Sequence, residues 1–78
     1  MGNLQRIRKE KKVTQAALAE QSGVNLRTLQ DYEQGRININ NASGESLFKM
    51  ACVLGCHIED ILEGIEDIMK ELEEEYNA

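Results

Sequence analysis

The sequence predicts an all-helical fold, and three observations predict it. There is no proline. Aromatic residues make up only 4% of the chain, while Leu, Ile, Ala, Glu and Lys are abundant, a bias toward helix formers over strand formers. Apolar residues also recur at three- and four-residue steps, the spacing that keeps side chains on one face of a helix. A chain of 78 residues holds one domain, close to the lower size limit for an independent core. Nearly every apolar residue must therefore be used.

Each element has a local reason. Leu4 and Ile7 share a face with the stem of Lys11, which predicts a first helix over residues 3–12, broken at Val13-Thr14. Thr14 is a good N-cap for a second helix, residues 15–21, because its hydroxyl can accept from an unpaired N–H of the first turn. Ser22-Gly23-Val24 breaks that helix, with Gly23 suited to the left-handed conformation of a helix C-terminus. Asn25 caps a third helix, Leu26 to about Gln34, whose inward residues are Leu29 and Tyr32 and which Gly35 ends. The stretch "RININNAS" has no helical period and reads as a loop. Ser43 caps a fourth helix through Leu54, with Leu47, Met50, Ala51 and Leu54 inside and Gly55 as its stop. Ile58, Ile61, Leu62, Ile65, Ile68, Met69 and Leu72 then form a continuous apolar stripe on one or two amphipathic helices. Gly64 either divides them or sits inside a single helix at a cost of ~1 kcal/mol.

The net charge is -5, the wrong sign for a protein that lies on phosphates, but it is unevenly spread. Residues 1–40 hold seven basic against four acidic residues (+3), and residues 41–78 hold two against ten (-8). The basic half can meet phosphates while the acidic half points away.

Composition excludes other classes. No apolar run approaches the ~18–20 residues of a membrane span, and "MGNLQRIRKEKK" lacks the apolar core of a signal peptide; the expected location is the cytoplasm. Cys52, Cys56 and His57 are too few to build a four-ligand zinc site and read as reduced thiols and an ordinary histidine. With a single His and no glycine-rich phosphate loop, neither catalysis nor a cofactor is expected.

The centre of the chain is more specific. Two helices that cross steeply through a tight turn need a small residue where the backbones approach, a turn residue tolerant of the left-handed conformation, and apolar residues after it. Ala19, Gly23, Val24, Leu29 and Tyr32 supply these in register. Together with T-Q-x-x-L-A from Thr14, Y-E-x-G-R from Tyr32 and A-x-x-L-G from Ala51, the stretch Leu4 to about Leu62 resembles the lambda repressor/Cro-type, or XRE, helix-turn-helix family.

That resemblance implies a compact five-helix domain over residues 1–63 that binds operator DNA, usually as a homodimer on an inverted repeat, in a bacterial or phage setting. It implies a transcriptional regulator, expected to repress, with no catalytic role. Gln15 would hydrogen-bond a phosphate and brace the third helix, and Arg8 and Glu33 would form a buried ion pair, which Arg suits by offering two bonds to one carboxylate. Residues 26–34 would be the recognition helix in the major groove. Its base-reading candidates are Leu26, Arg27, Gln30, Asp31 and Gln34. Arg27 matches guanine O6 and N7, worth ~1–3 kcal/mol of discrimination, Gln30 matches adenine, and Leu26 meets a thymine methyl or packs on its own domain. Asn25, Thr28, Arg36, Lys11 and Lys12 join Gln15 as phosphate candidates.

Two features depart from the family. Asp31 puts an acid on the DNA-facing side, where it either accepts from cytosine N4 or orients Arg27 four residues earlier. Residues 64–78 add an acidic amphipathic helix whose stripe, Ile65, Ile68, Met69, Leu72 and Tyr76, needs burial on the same domain or at a dimer interface. The acidic half also leaves open a second reading: a protein-interaction or antitoxin-like module that meets a protein partner through this helix, with DNA binding secondary or lost.

Overall fold

Three side chains start helices by the same device. In the computed structural model, Thr14 Oγ1 accepts from the Ala17 N–H at 3.0 Å, Asn25 Oδ1 from Arg27 at 2.8 Å, and Ser43 Oγ from Ser46 at 3.1 Å. Each satisfies a donor that the first helical turn leaves without an intrahelical partner. The structure describes residues 2–77, with side chains for residues 2–75. The elements are α1 (Asn3–Glu10), α2 (Gln15–Ser22), α3 (Leu26–Gln34), a 3₁₀ turn (Ile39–Asn41), α4 (Gly44–Leu54), α5 (Ile58–Ile61) and α6 (Ile65–Asn77). The described residues contain no strand.

α1 is shorter than its apolar spacing predicts. Lys12, not Val13-Thr14, ends it, at a φ of 59°. Val13 N–H donates to the Arg8 carbonyl and Lys12 N–H to the Lys9 carbonyl, both at 3.1 Å. This is the hydrogen-bond pattern of a left-handed C-terminal stop, formed here by a residue with a side chain. α3 ends the same way with Gly35 at φ 77°, where the Arg36 N–H returns to the Asp31 carbonyl at 2.9 Å.

The core draws on every element through α5. Leu4 and Ile7 of α1, Leu18 and Ala19 of α2, Leu29 of α3, Leu47, Met50, Ala51 and Leu54 of α4, and Ile61 of α5 are buried together. Ile39 joins them from the segment read as a plain loop: the 3₁₀ turn, capped by Asn38, folds it inward. Ala19 is in the core and α2 packs on both α3 and α4, which is why a larger side chain has no room there.

Gly64, at φ 68°, divides the C-terminal stripe into two helices. The joint is fixed to the domain. Asn3 Nδ2 donates to the Leu62 carbonyl at 2.9 Å, and the Asn40 carboxamide exchanges two hydrogen bonds with the Glu63 backbone at 2.7 and 2.9 Å. Beyond it, Ile65 is half-buried, but Ile68, Met69 and Leu72 are 46–52% exposed. Among the described residues, α6 contributes none to the buried core that unites the first five helices. Tyr76, the final position of the stripe, has a side chain outside the described residues.

Candidate nucleic-acid interface

α3 is held from behind by one buried carboxylate. Glu33 lies on its inner face with its side chain fully covered. Arg8 reaches it from α1 with two bonds, Nε to Oε2 at 2.6 Å and Nη2 to Oε1 at 3.0 Å. The same guanidinium donates to the Val13 carbonyl at 2.9 Å, so it ties down the α1–α2 turn as well. Gln15 Nε2 adds a third bond to Glu33, at 3.0 Å. Gln15 Oε1 in turn accepts from Gln30 Nε2 at 3.4 Å. No buried polar side-chain atom among the described residues lacks a partner, the condition under which a buried ion pair is tolerated.

The outer face is dominated by residues that the core does not use. The Arg27 side chain is 76% exposed, and Leu26 is 41% exposed rather than packed into its own domain. Gln34, Arg36 and Asn25 are exposed, while Thr28, Gln30 and Gln15 are half-buried along the α2–α3 edge. Asn25 Oδ1 is taken by the Arg27 and Thr28 N–H groups, which leaves its Nδ2 as the donor available to an incoming group. Lys11 and Lys12 are exposed at the α1–α2 turn.

Asp31 is recessed, with its side chain 18% exposed. Its Oδ1 lies 3.7 Å from Arg27 Nε and 3.4 Å from Arg36 Nη1. Arg36 Nη2 also bonds Gln34 Oε1. The Arg36 contact was not legible in the helical pattern, because a five-residue separation puts two side chains on different faces of a continuous helix. The left-handed turn at Gly35 brings Arg36 back over Asp31.

The thiols lie elsewhere. Cys52 is exposed on α4 and Cys56 is half-buried before α5; both are free. Burial, and secondarily the Asp60 carboxylate, push the Cys56 thiol up from its ordinary value, with Lys11 opposing in part. Among the described residues no three His, Cys, Asp or Glu side chains are grouped to hold a metal ion, and no helix is long and apolar enough to cross a membrane.

A small residue inside α2 and a left-handed turn between α2 and α3, with α3 presenting polar residues outward, define a helix-turn-helix domain of the DNA-binding class. The comparison with known sequences agrees: the chain belongs to the helix-turn-helix family, whose model matches residues 4–61. It is also similar to the immunity repressor protein of Bacillus phage phi105, with 39% identity over 72 residues. That match covers 92% of this chain and 47% of the phage protein, so the chain spans about half the length of this relative. No solved structure matches the chain at a comparable level.

Proposed function

We propose that the protein is a sequence-specific transcriptional repressor that places α3 in the major groove of an inverted-repeat operator and works in the cytoplasm. One observation carries this reading. Arg27 presents a side chain that is 76% exposed on a helix locked in place by a buried carboxylate with three donors. A base-reading group gains discrimination only when its support is rigid. In this reading Leu26, Gln30 and Gln34 flank Arg27 along the groove, while Gln15, Asn25, Thr28, Lys11 and Lys12 meet the phosphates and set the register. The resemblance to a phage immunity repressor supports repression as the mode of action.

Operator symmetry calls for two subunits with recognition helices ~34 Å apart. α6 is assigned to that contact in this reading, because it leaves Ile68, Met69 and Leu72 exposed on a helix rooted to the domain through Asn3 and Asn40. Selection of binding sites from random duplex DNA tests the proposal. One enriched palindrome is expected, with Arg27→Ala flattening the preference at one position of each half-site. A pool that stays random at low salt overturns it.

A further inference from the structure

We infer that Asp31 is a specificity-determining positioning residue: it restrains two arginines so that they discriminate among DNA sequences instead of gripping any phosphate. The inference rests on the DNA-reading role proposed for α3 and concerns what the acid on that face is for.

The geometry of the three side chains is asymmetric. Asp31 is recessed at 18% exposure, while Arg27 and Arg36 stand outside it at 76% and 52%. A carboxylate placed to read a base edge would be the outermost group; this one lies beneath its partners. It faces Arg27 through Nε, so the two terminal nitrogens of Arg27 stay available for guanine O6 and N7. It takes Arg36 by a terminal nitrogen, Nη1, at 3.4 Å, and Gln34 takes the other. Arg36 is thereby engaged inside the chain. The Asp31 backbone reinforces the arrangement, since its carbonyl accepts from the N–H groups of Arg36 and Ile37 at 2.9 and 3.3 Å.

Sequence preference is a difference between two affinities, and it is raised by weakening the wrong complex as well as by strengthening the right one. Two unrestrained arginines would neutralise phosphates on any duplex, because phosphate contacts carry no sequence information. With Asp31 between them, the three side chains carry a net charge of +1 rather than +2. On a matching site, Arg27 makes two bonds to a base while keeping Nε against Asp31. On a mismatched site it has no such acceptor, and the positive charge that Asp31 offsets is not available to grip the phosphates instead.

The test compares wild type, Asp31→Asn and Asp31→Glu on the selected duplex, its single-base variants and a scrambled duplex at several salt concentrations. Asp31→Asn is expected to bind scrambled DNA about five- to tenfold more tightly, with a salt slope steeper by about 0.9, one extra phosphate. Its affinity for the selected duplex changes by no more than about twofold, so the discrimination ratio falls about fivefold. Asp31→Glu, which keeps the charge, retains most of the wild-type ratio. An unchanged ratio and slope in Asp31→Asn would overturn the inference. So would loss of preference at a single base pair with scrambled affinity unchanged, since that would make Asp31 a direct reader. If Asp31→Asn does not fold, Asp31→Ser takes its place, with the same rise in scrambled-DNA affinity and salt slope expected and an unchanged ratio and slope again overturning the inference. A wild-type protein with no sequence preference would remove the DNA-reading proposal itself.

Discussion

Replacing Glu33 by Ala should come close to unfolding this domain. The carboxylate is completely covered, and it accepts from Arg8 Nε, Arg8 Nη2 and Gln15 Nε2 at 2.6, 3.0 and 3.0 Å. Its removal leaves a guanidinium that is only 10% exposed without a counter-charge. Breaking a buried pair from one side costs about 3–5 kcal/mol. A chain of 78 residues has roughly 4–12 kcal/mol in total at the usual ~0.05–0.15 kcal/mol per residue. The substitution therefore removes between a quarter and all of the stability, and the melting temperature falls by about 12 °C or more. The double variant Arg8→Met/Glu33→Leu should lose less than either single variant, because no buried charge is left behind. Its residual loss reflects the Val13 carbonyl, which loses the Arg8 donor. Urea titration followed by helical circular dichroism measures Glu33→Ala and, for the cycle, Arg8→Met, Glu33→Leu and their combination, which should show a coupling of at least about 2 kcal/mol. A Glu33→Ala cost below about 1 kcal/mol, the value of a solvated surface pair, would refute the reasoning.

Three further outcomes follow from the same geometry. Ending the chain after Glu63 removes a helix whose Ile68, Met69 and Leu72 are about half exposed within one subunit, so at concentrations where the protein is monomeric the melting temperature should move by only a few degrees, roughly 1 kcal/mol or less; light scattering of the full and shortened chains at higher concentration should show a dimer that needs α6. Lys12→Gly relieves a left-handed φ of 59° and should raise the urea midpoint by the equivalent of about 0.5–1 kcal/mol, part of the relief being offset by the freer unfolded chain. At pH 8 iodoacetamide should label exposed Cys52 before Cys56, whose thiol burial holds protonated; Cys56 labelling rises at a higher pH, and equal rates by mass spectrometry would contradict the burial of that site.

The sequence by itself determined the helices and the family, because the signals for both are local. Thr14, Asn25 and Ser43 cap turns that begin one residue away, and Gly23, Gly35 and Gly55 end helices in the left-handed conformation, the last two through hydrogen bonds spanning a single turn. The stripes of Leu47, Met50, Ala51 and Leu54 and of Leu18, Ala19 and Leu29 define inner faces whatever they pack against. Where the local signal is weak the fold departs from it: Lys12 takes a conformation that glycine would have announced, and Ile39 enters the core from a segment with no helical period. What the tertiary structure decided was the partners. Glu33 could have been a solvated acid until α1 brought Arg8 and α2 brought Gln15 to it from 25 and 18 residues away. Asp31 carries the same charge in the sequence as in the fold, but its consequence depends on a reversal at Gly35 that lays Arg36 over it. The free energy of a charge is set by what surrounds it within a few ångströms, and distances along the chain do not fix those surroundings.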